Sequence, residues 1–326
     1  MADTALPGYL ASRLAEQYDE ARLELVARGY AAERPVTLRA NALLSTRDAV
    51  AEALADAGIA YRAVPWYPDA FALEGVRERA VWDLPIYQQG HVYLQSLSSM
   101  LPPLVLQPAP KADVLDMCAA PGGKTSQMAA LSQEAARRAG SRAAHVTACE
   151  LSAPRAQKLE HNLEKLGATS VQVMRTDARR LDSWFSFDQI LLDAPCTGSG
   201  TVHLPDERVE RRLTPQLASK VERSQRALLD KALQVLKPGG ALVYSTCSIL
   251  RTENEDVVAQ ALKRHRDCEL VPIAPVSEWA TGAAVTDAQG NVPAPVTLPC
   301  TLSEALLVCP SDYYEGFFVA KIRKNG

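Results

Sequence analysis

This chain has no long hydrophobic run. Although 47% of its 326 residues are hydrophobic, no segment approaches the roughly 18 consecutive apolar residues that a membrane span requires. The first residues, MADTALPGYLASRLAEQ, also lack the basic start and apolar run of a secretory signal. These absences argue against a membrane protein and predict a cytoplasmic one, long enough for one large domain and a smaller one.

Histidine is scarce and the cysteines are not paired along the chain. There are five histidines and seven cysteines, and the cysteines are scattered without a CxxC pair. An odd, scattered set argues against a disulfide framework. Without a cluster of cysteine and histidine, a structural zinc site is not expected either, and we predict no metal.

Excess positive charge is absent as well. The formal net charge is −3 at pH 7, which argues against a protein that coats nucleic acid nonspecifically but is compatible with an enzyme that has one basic groove. Two nucleotide-binding motifs are also missing. There is no GxGxxG, and AAPGGKT matches only the end of a Walker A motif, because Cys118 stands where a glycine is needed.

What the sequence does contain is an alternation of strand and helix patterns from residue 113 onward. Short apolar runs at 113–117, 144–149, 170–175, 188–193 and 240–245 are separated by helical patterns at 124–138, 153–166 and 215–236. This alternation predicts an α/β fold with a mostly parallel, doubly wound sheet. A helix over 252–265, capped by Thr252, and a last strand in GFFVAKIRK are expected to complete it.

The first part of the chain has a different pattern. It predicts a helix over 9–29, a strand over 36–40, a helix over 46–58 and a strand over 59–66. We therefore expect an N-terminal helical segment (1–34), a small α+β domain (35–84) and a catalytic domain (85–326). Within the last, a helix over 96–108 should be interrupted by Pro102 and Pro103, and residues 274–300 should form a long loop.

Acidic residues follow four of the predicted strands, next to a glycine-rich turn. The turn is CAAPGGKT (118–125), and the acids are Asp116, Glu150, Asp177 and Asp193. Glycine lets a ligand approach the backbone, and an acid after the second strand can accept hydrogen bonds from both ribose hydroxyls. Four acids suit a nucleoside with a cationic sulfonium better than one with phosphates.

We therefore predict S-adenosylmethionine as the cofactor, lying along the turn with its ribose on Glu150 and its adenine near Asp177. The candidate cofactor-binding residues are Cys118, Ala119, Ala120, Pro121, Gly122, Gly123, Lys124, Glu150, Arg155, Asp177, Asp193 and Pro195.

Two cysteines directly follow strand ends at the same edge of the predicted sheet. Cys196 lies in DAPCTGSG and Cys247 in YSTCSI. Free cysteines usually behave as small buried hydrophobes, and we interpret the other five in that way, although Cys118 also lies in the cofactor turn. Two thiols beside a cofactor turn predict covalent chemistry on an electrophilic carbon.

These motifs closely resemble those of a known family. CAAPGGKT, DAPCTGSG and YSTCSI, in this order and spacing, resemble the motifs of the Nol/Nop/Sun family of RNA cytosine-5 methyltransferases. The segments QGHVYLQSLSSMLPPLVLQP and EGFFVAKIRK are similar to those that precede and end its catalytic domain, and RANALLS (39–45) is similar to its small RNA-binding domain. One departure is visible: the family's usual arginine before the proline at 310 is missing.

The resemblance implies a Rossmann-like class I methyltransferase fold and roles for four residues. Cys247 attacks carbon 6 of cytosine, and Cys196 is the base that removes the carbon 5 proton. Asp193 contacts ring nitrogen 3, with Lys124 assisting. Because the thiolate is the reactive form, the site should lower the pKa of Cys247.

The resemblance also implies an RNA partner, whose target base must leave its stack, and we expect a monomer. The basic residues that we take as candidate RNA contacts are Arg39, Arg62, Arg208, Arg211, Arg212, Lys220 and Arg223.

Four alternatives are weighed. A DNA cytosine methyltransferase uses its Pro-Cys thiol as nucleophile, and the second thiol, Cys247, argues against it. A noncatalytic RNA-binding assembly factor is disfavoured by the intact thiols and turn, and a P-loop NTPase by the missing glycine. Within the preferred interpretation, transfer RNA remains an alternative to ribosomal RNA, which we favour as substrate.

Overall fold

The computed structural model describes residues 6, 8–205, 208–279 and 290–326, without the side chain of Glu210. Two helices come first, α1 (Gly8–Ala15) and α2 (Glu20–Ala31). The single helix predicted over 9–29 was therefore wrong. The side chain of Asp19 accepts a hydrogen bond from the backbone N–H of Arg22 and so caps a second helix. Leu10 and Tyr30 are buried in the core of the large domain, so this segment packs on that domain.

A four-stranded antiparallel sheet with the strand order β2-β3-β1-β4 follows. Its elements are β1 (Thr37–Ala40), α3 (Arg47–Asp56), β2 (Tyr61–Ala63), β3 (Ala70–Leu73), α4 (Glu78–Trp82), α5 (Pro85–Gln88) and β4 (Val92–Leu94). The sequence pattern predicted neither β3 nor β4. Strand β4 belongs to the small sheet although it lies after residue 84, the predicted end of the small domain. Leu38, Leu54 and Phe71 form part of the core between this sheet and its helices.

The remaining chain builds one large sheet in the order β10-β12-β9-β8-β5-β6-β7, with β11 paired to β12. Its elements are α6 (Leu97–Leu106), β5 (Asp113–Asp116), α7 (Gly123–Arg138), β6 (His145–Cys149), α8 (Ala153–Lys165), β7 (Val171–Met174), β8 (Phe187–Asp193), α9 (Arg208–Arg212), α10 (Pro215–Val235), β9 (Leu236–Thr246), α11 (Glu255–Arg264), β10 (Cys268–Val271), β11 (Leu306–Val308) and β12 (Phe317–Lys324).

Strands β5 to β9 are parallel, and β12 runs antiparallel to β9. Along β8, Ile190 and Leu192 face a core that includes α10 and α11, whereas Leu191 faces a core that includes Met128 of α7 and residues of α6. Successive side chains of a strand point to opposite faces, so helices cover both faces of the sheet. The predicted doubly wound α/β fold is confirmed.

The prolines do not interrupt α6, which contains both Pro102 and Pro103. Proline removes the N–H that would bond the carbonyl four residues earlier. For Pro103 this carbonyl belongs to Ser99, and the side-chain amide of Gln95 donates to it instead, at 3.0 Å. A side chain thus replaces the lost backbone donor, and the predicted interruption was wrong.

The predicted cap at Thr252 was wrong as well. Residues Arg251–Glu253 form a short 3-10 turn, and α11 begins at Glu255 after Asn254. The Asn254 side chain does not cap the helix, because it bonds Thr246 and the carbonyl of Ser248. Part of the loop predicted over 274–300, residues 280–289, lies outside the described residues. Within the described ranges, no helix has the length and apolar character needed to cross a membrane.

Candidate active site

The carboxyl ends of β5, β6, β8 and β9 meet at one edge of the large sheet, and the predicted site residues lie there. Parallel strands place their carboxyl ends together, which is where open α/β sheets bind ligands. A cavity of about 190 Å³ at this edge is lined by residues that include Asp116, Lys124 and Asp193, together with Tyr93 and Ser99. A larger cleft, of about 1180 Å³, is lined by none of the predicted site residues, so we place the chemistry at the smaller one.

The glycine-rich turn has a backbone shape that only glycine adopts without strain. Gly122 has a φ of +107°, and a Cβ at Gly123 would lie 2.7 Å from the Tyr93 ring. Side chains of α8 hold the turn from outside. Asn162 donates to the Pro121 carbonyl at 2.7 Å, and Arg155 donates to the Ala120 carbonyl at 3.0 Å.

The four acids occupy different environments. Asp116 is buried and accepts a hydrogen bond from Thr125 at 2.7 Å, and burial raises the pKa of Asp116 to about 6. Glu150 is also buried, accepts from the backbone N–H of Ser152 at 2.8 Å, and has Arg155 at 3.4 Å. One of its oxygens is thus hydrogen-bonded within its own turn, and the other has only the more distant Arg155.

Asp177 is engaged by its own neighbours. Its carboxylate accepts from the backbone and guanidinium of Arg179, and this pairing lowers the pKa of Asp177. An adenine contact from Asp177 would thus have to share oxygens that already bond Arg179.

This set of side chains fits S-adenosylmethionine. The cavity carries two carboxylates, and its lysine, Lys124, is already paired with one of them, Asp193. A nucleoside with a positive sulfonium is electrostatically matched to such a rim, whereas a polyphosphate is not. Ala119, Ala120 and Gly123 of the turn line the cavity and would be next to a cofactor bound there.

The two predicted thiols touch each other. The Sγ atoms of Cys196 and Cys247 are 3.2 Å apart, and both residues are half-buried. The loops approach closely through glycine: the Gly200 N–H donates to the Cys247 carbonyl at 2.9 Å, and a Cβ on Gly200 would lie 2.0 Å from the Gly316 carbonyl oxygen. The hydrogen bond with Cys247, together with burial, raises the pKa of Cys196 well above its ordinary value.

Lys124 and Asp193 form an ion pair beside these thiols. Lys124 Nζ lies 2.8 Å from Asp193 Oδ2 and donates to Ser99 Oγ at 2.6 Å. The other carboxylate oxygen accepts from Ser245 at 2.7 Å. Although burial lowers it, the pKa of Lys124 is raised overall by the Asp193 carboxylate and by Cys247 nearby.

One predicted RNA contact was wrong. Arg39 is fully buried. Its guanidinium donates to Gln95 Oε1 at 2.9 Å, to the Gly123 carbonyl at 2.9 Å and to Ser126 Oγ at 2.6 Å. Arg39 therefore connects the small sheet to the cofactor turn and has no surface for RNA.

The other basic candidates are on the surface. Arg62 forms an ion pair with Glu74 at 2.7 Å. An exposed group lies on α9 and the first part of α10, after the Cys196 loop, and consists of Arg208, Arg211, Arg212, Lys220 and Arg223.

Glu253 is a residue that sequence reasoning missed. Its carboxylate is buried and contacts the loops of both thiols. The available signal was an acid six positions after Cys247, in TCSILRTENE, where local pattern suggested only the start of a helix. Ser99 was missed for a similar reason, since a serine in a helical pattern carries no distinguishing spacing.

Comparison with known proteins places this geometry in context. A sequence model described as "16S rRNA methyltransferase RsmB/F" matches residues 103–323, and one described as "Methyltr_RsmF/B-like, ferredoxin-like domain" matches residues 6–78. "Ribosomal RNA small subunit methyltransferase F" of Shewanella amazonensis is 34% identical over 295 residues, covering 89% of this chain and 58% of that protein. The protein of the same name from Klebsiella pneumoniae is 36% identical over 308 residues, covering 90% and 59%. The chain thus spans less than two thirds of the length of these relatives.

Solved structures agree. A methyltransferase homologue from Pyrococcus horikoshii is 32% identical with a TM-score of 0.74, covering 98% of this chain and 100% of that one. NSun6 from Pyrococcus horikoshii has a TM-score of 0.79 over 98% of both chains, and at 20% identity it supports the fold alone. These findings confirm the predicted family, the Rossmann-like methyltransferase fold and S-adenosylmethionine as the cofactor.

Proposed function

Since this chain belongs to the 16S rRNA methyltransferase RsmB/F family, we propose that it methylates carbon 5 of a cytosine in ribosomal RNA. The observation that carries this proposal is the contact between Cys196 and Cys247, at 3.2 Å, beside the Lys124–Asp193 pair. Two touching thiols suit a reaction in which one sulfur attacks the ring and the other removes a proton. An enzyme with a single nucleophile has no need of the second thiol.

Cys247 performs the attack. Its thiolate adds to carbon 6 of the cytosine, the sulfur–carbon bond forms, and the electron pair of the ring double bond makes carbon 5 nucleophilic. Bound S-adenosylmethionine supplies an electrophilic methyl group. The ring gains negative charge during this addition, so a partner at ring nitrogen 3 is required.

Asp193 is the partner that we assign to ring nitrogen 3. Its carboxylate is held from both sides by Lys124 and Ser245, which fixes its direction. Once nitrogen 3 is protonated, it donates to Asp193, with the Lys124 ammonium as the proton source through that carboxylate. The proton returns to the Asp193–Lys124 pair when carbon 5 takes the methyl group. A preorganised ion pair stabilises developing charge without reorganising.

Cys196 performs the release. After methylation, carbon 5 carries both the methyl group and its hydrogen. The Cys196 thiolate removes this hydrogen as a proton, the double bond re-forms, and the bond between carbon 6 and Cys247 breaks. A thiol whose pKa is raised, as burial and Cys247 raise it here, is a stronger base once it is ionised.

The cofactor contacts are assigned to the turn and to two acids. The segment 119–124 would lie along the methionine part, and Glu150 would accept the ribose hydroxyls with Arg155 beside it. We propose that the nucleoside also has three further neighbours, Asp177, Cys118 and Pro195. The exposed basic residues on α9 and α10 are the proposed RNA surface.

The test is a methylation assay with substrate arms. The full chain and S-adenosylmethionine with a labelled methyl group are incubated with 16S rRNA, with transfer RNA and with duplex DNA, and modified cytosines are located by bisulfite sequencing. Label at one or a few cytosines of 16S rRNA, absent with Cys247→Ala, is the expected result. If label appeared only in transfer RNA or in DNA, that nucleic acid would be the substrate in place of ribosomal RNA. If the chain bound RNA but transferred no label, a noncatalytic assembly factor would be favoured.

A further inference from the structure

One buried carboxylate joins the loops that carry the two thiols. Glu253 is fully buried. Its Oε1 accepts hydrogen bonds from the Thr197 hydroxyl at 2.5 Å and the Ser248 hydroxyl at 2.9 Å. Its Oε2 accepts from the Thr197 N–H at 2.8 Å and from Gln225 Nε2 at 3.1 Å. Thr197 directly follows Cys196, and Ser248 directly follows Cys247, so the same group holds the neighbour of each sulfur.

The surrounding contacts extend this hold to the residues before the cysteines. Gln225 also donates to the carbonyl of Pro195, at 2.9 Å. The hydroxyl of Tyr244 donates to the Glu253 carbonyl at 2.6 Å, and this fixes the backbone of the acid itself. Both loops are therefore tied to one point of the core, although they come from different strands.

These partners favour the ionised form of Glu253. The carboxylate accepts four hydrogen bonds from three side chains and one backbone N–H, and a proton on either oxygen would displace one of them. Burial raises the pKa of Glu253 overall, and the bonds from Thr197, Ser248 and Gln225 limit that rise. The residue thus brings a negative charge close to the thiol pair.

The charges around the two sulfurs are unequal. Cys196 is faced by Cys247, by Glu253 and by the hydroxyl of Tyr244. Cys247 has the Lys124 ammonium nearby, and this ammonium is paired with the Asp193 carboxylate at 2.8 Å. An anion disfavours a neighbouring thiolate and a cation favours it, and two sulfurs at 3.2 Å cannot both ionise readily.

We propose that Glu253 is a positioning residue of the thiol pair: its carboxylate holds the two loops in contact, and its charge keeps the two sulfurs chemically unequal. The inference rests on the proposed function, in which Cys247 must attack while Cys196 keeps its proton. Once Cys247 is bonded to carbon 6, its charge is gone, so the half-buried Cys196 can release its own proton to water and then accept the carbon 5 proton as the base. The carboxylate thus separates the two roles in time.

The first test needs no RNA, so its outcome does not depend on the substrate. The full chain is treated with iodoacetamide over a range of pH, and each cysteine peptide is quantified by mass spectrometry. In the parent protein, Cys196 should react only at high pH, because the Cys247 thiol and burial raise the pKa of Cys196. In Glu253→Gln, the reactivity of Cys196 should move toward lower pH by about one unit, which is about a tenfold gain in its rate at neutral pH.

The second test measures turnover in the same variants. Glu253→Gln should lower kcat by about tenfold or more, because a small displacement of a reacting group has effects of this order. Thr197→Val, which removes one hydrogen bond and keeps the charge, should lower kcat without changing the pH dependence of Cys196 alkylation. The matched control is Glu255→Gln, a buried acid two residues on that faces Cys300, and it should leave both readouts unchanged.

The outcomes separate the two proposals. If Glu253→Gln leaves the pH dependence of Cys196 alkylation unchanged, the residue is structural and the inference is overturned, whatever happens to turnover. Equal effects from Glu255→Gln would overturn it too, as would unchanged turnover in Glu253→Gln. If the parent chain methylates no RNA while the alkylation of Cys196 shifts as expected in Glu253→Gln, the charge effect stands, and it is the cytosine methylation that fails.

Discussion

Replacing Arg39 by methionine should destabilise the protein and loosen the cofactor turn. The guanidinium makes hydrogen bonds with Gln95, Gly123 and Ser126 at 2.6–2.9 Å in a fully buried position. Hydrogen bonds to a charged group contribute about 1.5–3 kcal/mol each. The gross loss in Arg39→Met is therefore about 4–9 kcal/mol.

Two features reduce this loss. Burial lowers the pKa of Arg39, which means that keeping its guanidinium charged in the core costs free energy. In addition, Nη1 of Arg39 has no hydrogen-bond partner within the described residues. Ser126 also donates to the Gly123 carbonyl at 3.1 Å, so one acceptor keeps a partner. We expect a net decrease of about 3 kcal/mol in the free energy of unfolding, at the lower end of the range for breaking a buried charged contact.

Urea denaturation and a calorimetric titration with S-adenosylmethionine provide the assay. Arg39→Met should lower the urea concentration at the unfolding midpoint and leave the dependence of the unfolding free energy on urea unchanged. It should also weaken cofactor binding by about tenfold, which is about 1.4 kcal/mol. Arg62→Met is the matched control: Arg62 makes a half-exposed ion pair with Glu74, so its loss should change the free energy of unfolding by less than about 1 kcal/mol.

The reasoning would be refuted by the opposite pattern. If Arg39→Met kept the free energy of unfolding within about 1 kcal/mol of the parent and lost RNA affinity with a weaker salt dependence, the side chain would reach RNA after all.

Three further predictions concern the site. Cys247→Ala should form no covalent RNA adduct, whereas Cys196→Ala should accumulate one that survives denaturing electrophoresis; an adduct with Cys247→Ala alone would reverse the roles. Glu150→Ala should weaken S-adenosylmethionine binding by about 1–3 kcal/mol in calorimetry, and tighter binding of ATP or NAD would contradict the assignment. The pKa of Asp116 is raised from 3.8 to about 6, so the stability that it contributes is present below pH ~4 and is lost as pH rises through 6. The free energy of unfolding of Asp116→Asn, measured by denaturation from pH 4 to 7, should therefore gain about 2.4 kcal/mol relative to the parent, and a constant difference would show that Asp116 is not perturbed.

Periodicity and local motifs predicted the parallel strands of the large sheet, but not β10 or β11. The strands β5 to β9 lie close to their predicted ranges because a buried parallel strand needs a continuous apolar run, and the following helix needs its own spacing. The cofactor turn and the Pro-Cys and Thr-Cys motifs follow strand ends in the sequence. Their meeting at one edge of the sheet follows from the parallel topology alone.

Other features depended on side-chain hydrogen bonds that helix and strand periodicity does not reveal. α6 continues through Pro103 while Gln95 donates to the Ser99 carbonyl, and α11 begins only at Glu255, after Asn254, whose side chain bonds Thr246. In each case, a nearby polar side chain changed the balance of hydrogen bonds that local propensity would predict.

The burial of Arg39 and Glu253 could not be predicted from the sequence, and the physical reason is the same for both. A charged residue is normally exposed, and it is buried only where enough partners replace its hydration. The partners of Arg39 lie 84 and 87 residues away at Gly123 and Ser126, and Glu253 bonds Thr197 from 56 residues away. The sequence by itself determined which residues stand at the ends of the strands. Only the tertiary structure decided which charged side chains are buried beside those ends. The reason is that the hydration lost on burial is replaced by hydrogen-bonding groups distant in the chain.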